Sequence, residues 1–178
     1  MRIVSGKYKS RRINAPKNLP TRPTTDIAKE ALFNILNNLY YFEDLTVIDL
    51  FAGIGSISFE FASRGTQHII SVDKHYGCTK FMNTTSQELG MDINVIKSDV
   101  YKFLEKSSLK ADIIFADPPY NFDDEQFLAI STLIFSKNML NENGLLIIEH
   151  SKETDLSNNT HFSYAKRYGG SVFSFFEI

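Results

Sequence analysis

The sequence contains one cysteine, Cys78, among 178 residues, so an internal disulfide cannot form. Nothing beside it has the spacing of a metal cluster or a nucleophile pair, so it reads as a packing residue in a reducing compartment. Long apolar runs are missing too: no stretch approaches the ~20 residues of a membrane span. The opening MRIVSGKYKSRR has charge but no apolar core of a secretory signal, which makes the cytoplasm the expected location. Four histidines, His68, His75, His150 and His161, show no metal-ligand spacing, so no metal is expected. Internal repeats and low-complexity segments are absent as well. What is left is an ordinary globular composition, 43% hydrophobic and 22% charged, long enough for one well-buried domain over 1–178.

The net charge of −2 hides a split. Residues 1–29 carry Arg2, Lys7, Lys9, Arg11, Arg12, Lys17, Arg22 and Lys29 against one acid, Asp26, a local charge of +7. The remaining residues hold 11 basic and 20 acidic side chains. A basic arm on an acidic body is the footprint of a phosphate-bearing partner, where a disordered tail would only add solubility. The arm also has structural signals. RIVSG (2–6) and RRINA (11–15) can pair as a small hairpin. Pro23 holds Arg22 extended, and Thr24 to Asp26 can cap a helix. Apolar residues at 27, 31, 32, 35, 36 and 39 give that helix one packing face. Its N-terminus beside Arg22 would suit an anion.

From residue 46 the chain alternates. TVIDL (46–50), HIISV (68–72), INVI (93–96), ADIIFA (111–116) and GLLIIEH (144–150) read as strands, with helices near 56–64, 76–89, 99–107 and 124–138. Asp123, Asp124 and Glu125 suit the start of the last helix. This rhythm predicts an α/β fold with a mainly parallel sheet. HFSYAKRY (161–168), Gly169-Gly170 and SVFSFFEI (171–178) then predict an antiparallel hairpin, with Phe173, Phe175 and Phe176 in the packing. A seven-stranded, Rossmann-like sheet closed in this way is the arrangement of the S-adenosylmethionine-dependent methyltransferases, here with a small N-terminal extension.

Ligands of such sheets bind at the carboxyl ends of the strands. Gly53 and Gly55 follow the first strand and permit a tight turn, although Ser58 replaces the third glycine of a dinucleotide fingerprint. Asp73, ending the second strand, can accept hydrogen bonds from both ribose hydroxyls of a nucleoside, or serve as a strand-end cap. Asp99 can receive an adenine amino group or cap the helix starting at Val100, and both readings stand. Asp49 discriminates between cofactors. A pyrophosphate turn wants N–H groups rather than a carboxylate at its base, whereas a methionine-derived ligand brings an ammonium group.

The fourth strand ends in Asp117-Pro118-Pro119-Tyr120. With RIVSGKYKSRRI (2–13), TRPTTDIAKEALFNIL (21–36), VIDLFAGIGSISFEFASRG (47–65) and IIEHS (147–151), this tetrad makes the whole chain resemble the bacterial 16S ribosomal RNA guanine-N2 methyltransferase family. The resemblance implies S-adenosylmethionine as cofactor, bound by Asp49, Phe51, Ala52, Gly53 and Gly55 of the first turn and by Asp73, Lys74, Asp99, Val100 and Asp117. It implies that Asp117 and the Pro118 carbonyl accept the two N–H bonds of a guanine amine, that the prolines fix that carbonyl, and that Tyr120 stacks on the base. It implies RNA contacts at Arg2, Lys7, Lys9, Arg11, Arg12 and Arg22, with Thr24 and Thr25, and a cytoplasmic monomer acting on the small ribosomal subunit. Ile54 and Ser58 depart from the family pattern, and Asp73 stands where glutamate is usual. His150 is expected near the site without a catalytic part. The tetrad also serves adenine-N6 methyltransferases of DNA or RNA. A catalytically silent RNA-binding assembly factor is the rival of a different class.

Overall fold

The computed structural model describes residues 1–20 and 24–178. The expectations placed on Arg22 and Pro23 lie outside the described residues. The element order is α1 (Asp26–Asn37), a 3-10 turn (Phe42–Asp44), β1 (Thr46–Leu50), α2 (Ser56–Ser63), β2 (His68–Asp73), α3 (Tyr76–Leu89), β3 (Ile93–Lys97), α4 (Val100–Lys106), β4 (Ala111–Ala116), α5 (Asp124–Ser136), β5 (Leu140–Ser151), β6 (Phe162–Tyr168) and β7 (Ser171–Phe176). The strands form one seven-stranded sheet in the order β3-β2-β1-β4-β5-β7-β6, with β1 to β5 parallel and β7 antiparallel to both of its neighbours. The predicted sheet and hairpin are therefore both present. β5 begins four residues earlier than GLLIIEH suggested, because Leu140 already pairs with Ala111 across an irregularity in the ladder.

Strand alternation distributes the apolar residues to two cores. Val47, Ile113, Phe115, Leu145, Ile147, Phe173 and Phe175 pack with α1, α2 and α3 on one face of the sheet. Ile48, Leu50, Ile114, Ala116, Leu146, Ile148 and Phe176 pack with α4 and α5 on the other. Strands apolar on both faces are what a helix-covered parallel sheet requires. The order reverses at β1, whose neighbours are β2 and β4. Chain connections leave β1 in opposite directions there and open a crevice at the carboxyl ends of the strands.

The N-terminal arm docks on the first of these faces. Arg2 and Arg12 form an antiparallel bridge, and Ile3 N–H donates to the Arg11 carbonyl at 2.9 Å. The expected hairpin is thus reduced to one bridge with flanking bonds, and Ile3 and Ile13 are buried in the core. The helix that follows is capped by Thr25, whose hydroxyl accepts from Ala28 N–H. Its buried face differs from the apolar spacing. Ala28, Lys29, Leu32, Phe33 and Leu36 are buried, while Ile27 and Leu39 are 77% and 55% exposed. The reason is Lys29, which hydrophobic patterning assigns to solvent. It is turned inward, donating to the Arg2 carbonyl at 2.6 Å and lying 3.8 Å from Glu60.

Candidate active site

A cavity of about 410 Å³ opens at the reversal, within the range of small-molecule sites. Its floor is the turn from β1 into α2. Phe51, Gly53 and Gly55 all have positive φ, 58°, 55° and 81°, which makes the turn tight enough to expose backbone. Ala52 N–H donates to the Val72 carbonyl at 3.0 Å and Gly55 N–H to the Ala52 carbonyl at 2.8 Å. The turn is therefore fastened on both sides.

The cavity wall brings together Asp49, Phe51, Ala52, Gly53, Asp73, Lys74, Asp99, Val100 and Asp117 of the expected cofactor set. Gly55 does not line it. A Cβ at Gly55 would lie 2.9 Å from Phe59 Cε2 and 3.0 Å from Met82, so its lack of a side chain serves α2 packing. Gly55→Ala is expected to cost about 1–3 kcal/mol through the positive φ and the close contact, read as a lowered melting temperature.

Asp73 has two tasks already. One oxygen accepts from Gly53 N–H at 2.8 Å and the other from His75 N–H at 2.7 Å, while His75 is the residue that caps α3. Asp73 thereby holds the glycine turn at a fixed distance from β2. Asp99 caps α4 through Lys102 N–H at 3.2 Å and also lines the cavity, so its two readings coexist. Asp49 is buried, with one oxygen accepting from both the backbone N–H and the hydroxyl of Ser58. Burial raises its pKa from 3.8 to about 7, against the lowering effect of those bonds. Ser58, read from the sequence as a departure, supplies that hydroxyl, and its oxygen also meets Ser71 Oγ at 2.6 Å.

Across the cavity stands the tetrad. Asp117 follows β4 directly, and its N–H still reaches the Leu50 carbonyl at 3.3 Å. Pro118 is buried, whereas Pro119 and Tyr120 are exposed at the mouth. Phe122 N–H donates to the Pro119 carbonyl at 3.0 Å, closing the turn. Burial, then Glu149, then Asp49 raise the Asp117 pKa well above the usual carboxylate range.

Residue patterns missed several members of this site. Phe122 lies edge-on to Phe51 at 5.6 Å and parallel to Tyr101 at 6.4 Å, forming an aromatic wall. Each is an isolated aromatic in sequence, and only the turn after Pro119 brings them together. Glu149 was visible only inside the IIEHS stretch. It is buried at the end of β5 and accepts from the Thr24 hydroxyl at 2.7 Å.

Of the expected RNA contacts, Lys7, Lys9, Arg11, Arg12 and Thr25 are exposed, and Arg2 pairs with Asp26 at 3.0 Å on the surface. Thr24 is buried and lines the cavity instead of the outer surface, because its hydroxyl is committed to Glu149. Lys29 contributes nothing to the outward charge of the arm. His150 lies off the cavity, with Nε2 2.7 Å from Ser174 Oγ and its ring edge-on to Phe127, since alternation along β5 sends it to the opposite face from Glu149. Asp123 caps α5 in a reciprocal capping box with Gln126, as the acid run there suggested. Among the described residues no group of three or more His, Cys, Asp or Glu is arranged to hold a metal, and no helix is long and apolar enough to cross a membrane.

A family model described as Conserved hypothetical protein 95 matches residues 1–177. A Bacillus subtilis (strain 168) protein called putative rRNA methyltransferase YlbH is 35% identical over 161 residues, covering 88% of this chain and 85% of the relative. Ribosomal RNA small subunit methyltransferase D of Escherichia coli (strain K12) is 29% identical over 157 residues, covering 82% of this chain and 77% of the relative. Among solved structures, a T. thermophilus 16S rRNA N2 methyltransferase (RsmC) in complex with AdoMet and guanosine superposes with a TM-score of 0.71 at 18% identity, over 89% of this chain and 45% of that one. At that identity the last similarity carries the fold alone.

Proposed function

We propose that this chain, which belongs to the Conserved hypothetical protein 95 family, is an S-adenosylmethionine-dependent rRNA methyltransferase, and that it methylates the exocyclic N2 amine of one guanine in 16S rRNA. The observation that carries the reading is the placement of Asp117-Pro118-Pro119-Tyr120 at the mouth of a cavity whose other walls hold Asp49, Asp73 and Asp99. The names of the relatives support the ribosomal RNA part, and the tetrad supports an amine acceptor.

The residues fit this cofactor by charge and shape. Asp49 and Asp73 favour a cation at the turn, Gly53 lets backbone approach it, and Val100 with Phe51 gives apolar walls for a nucleobase. Once bound, S-adenosylmethionine supplies an electrophilic methyl group on a sulfonium centre. The guanine amine is a weak nucleophile because its lone pair is delocalised into the ring. Acceptors at Asp117 and the Pro118 carbonyl, aimed at its two N–H bonds, turn the lone pair out of the ring plane. Pro119 restricts that carbonyl, and Tyr120 offers a face for an unstacked base. The contribution of these groups is positioning and electrostatics at the nitrogen.

The reading takes 1–178 as one methyltransferase domain acting as a cytoplasmic monomer, with the 1–25 arm gripping phosphates through Lys7, Lys9, Arg11 and Arg12. The test incubates the protein and methyl-labelled cofactor with small subunits, and separately with free 16S rRNA, from a strain lacking the gene. N2-methylguanosine identified by mass spectrometry is the expected product. Label in adenosine would move the activity to the N6 amine, and no label on either substrate would overturn the reading.

A further inference from the structure

Three acids share one face of the sheet at its carboxyl end. Leu50 pairs with Ala116, and Ala116 with Ile148. One residue further along, Asp117, just past the end of β4, comes near Glu149 of β5, whose charge acts on it. Asp49, opposite Phe115, falls on the same face by alternation. Sheet pairing does not require a buried acid at 149, where the residues before it are Leu146, Ile147 and Ile148. Its burial beside Asp117 points to a task in the chemistry.

The groups that face this pair come from every neighbouring element. Asp49 on β1 adds negative charge at Asp117, and it is itself influenced by Asp73. The Thr24 hydroxyl, just ahead of α1, and Ser171 of β7 both hydrogen-bond Glu149. The cation of α1, Lys29, is already committed to the Arg2 carbonyl, Ser56 and Glu60. Adjacent carboxylates, Glu149 buried and Asp117 half-buried in the cavity wall, do not both ionise cheaply, which favours one proton between them. Burial raises the Glu149 pKa and the bonds from Thr24 and Ser171 work against that rise, whereas burial, Glu149 and Asp49 all act to keep Asp117 protonated.

We propose that Glu149 is a positioning residue of this site: beside Asp117 on the next strand and held by the Thr24 hydroxyl, it takes over the shared proton when the substrate amine arrives, leaving Asp117 as the acceptor. The inference rests on the methyl-transfer reading above. During transfer the amine lone pair forms a bond to the methyl carbon as the carbon–sulfur bond breaks, and sulfur keeps that electron pair. The nitrogen then carries one hydrogen too many, which Asp117 receives while Glu149 retains its own. The pair, now with two protons, releases one to solvent as product leaves. The N-terminal segment thus reaches the reacting acid by way of Glu149, through the Thr24 hydroxyl.

The sign of the effect follows. Charged Glu149 opposes ionisation of Asp117, so Glu149→Gln makes Asp117 ionise at lower pH. The acidic limb of the single-turnover rate should move down by about one pH unit, with KM for the cofactor little changed. Thr24→Val removes a bond that favours charged Glu149, so Glu149 holds the proton more firmly and the limb moves the same way by less. The same titration is read without any activity by carbon-13 NMR of labelled carboxyl groups. Wild type should show Asp117 and Glu149 titrating in coupled steps, and Glu149→Gln should move the Asp117 step to lower pH. Melting curves establish that each variant is folded, and if Glu149→Gln is not, Thr24→Val decides. Coincident or upward-shifted titration of Asp117 in the folded variants overturns the proton sharing. Absence of methyl transfer by wild type with a shifted carboxyl titration would sink the functional reading and leave the proton sharing standing.

Discussion

Asp117→Ala is expected to lower single-turnover methyl transfer by about 10²–10⁴-fold while leaving most of the affinity for the cofactor in place. The asymmetry follows from geometry. The glycine turn, which would meet the cofactor, is fastened by Asp73, by Val72 and by the Ser58 bonds of Asp49, none of which passes through Asp117. Asp117 instead lies across the cavity at the end of β4, next to the prolines. Removing this half-buried acid also relieves repulsion with Glu149 and Asp49, so the variant should fold. Titration calorimetry with the cofactor and a labelled-methyl assay on the same preparation make the comparison. Asp117→Asn separates two contributions: it keeps an acceptor oxygen but cannot take the proton, and should fall between wild type and alanine. Equal loss of binding and transfer in Asp117→Ala would place the carboxylate on the cofactor and take away its part at the amine.

The elements most legible in the sequence were those whose physics is local. ADIIFA is a strand because apolar residues on both faces suit a covered parallel sheet, and its bounds coincide with β4. Gly169-Gly170 marks the β6–β7 hairpin for an equally local reason. The four strand-end acids were legible because a doubly wound sheet sends every strand end to one rim, so Asp49, Asp73, Asp99 and Asp117 meet although they are spread over 69 positions of chain. What stayed hidden depends on partners distant in sequence. Lys29 and Thr24 read as exposed polar residues of a basic arm, yet each is buried against an acid, Glu60 and Glu149, that alternation and helical spacing do not flag. Ser58 reads as a missing glycine, and its value is a hydroxyl facing Asp49. In each case the missing information was which charge sits opposite.

That lesson makes Glu60 the strongest structural test. Its side chain is fully buried on α2, where it accepts from Val4 N–H at 2.8 Å and Ser5 N–H at 3.0 Å, receives Arg64 Nε at 2.9 Å and faces Lys29 Nζ at 3.8 Å. One carboxylate therefore ties the arm, α1 and α2 together. Nearby, Ser63 Oγ donates to the Ser5 carbonyl and Lys7 N–H to the Ser63 carbonyl, at 2.6 and 2.7 Å. Glu60→Ala leaves Lys29 buried without its counter-charge and two backbone donors without acceptors. Breaking a buried pair from one side costs about 3–5 kcal/mol, and for a domain of this size that is roughly 10 °C in melting temperature. The loss should appear first in the arm, as faster amide exchange at Val4 and Ser5 than at β4. Glu60→Gln combined with Lys29→Met removes both charges while keeping one acceptor, and should recover part of the deficit. If Glu60→Ala melts within about 1 kcal/mol of wild type, an ordinary surface substitution by size, the arm is not anchored through this carboxylate. A firm anchor matters for the proposed activity because Lys7, Lys9, Arg11 and Arg12 keep a set distance from the cavity only while residues 2–8 stay docked. With the arm released, those charges would still attract phosphate, but they would no longer present one nucleotide to Asp117 and Tyr120. Glu60→Ala should therefore retain salt-dependent RNA binding and lose transfer well beyond its loss of affinity, measured below its melting temperature.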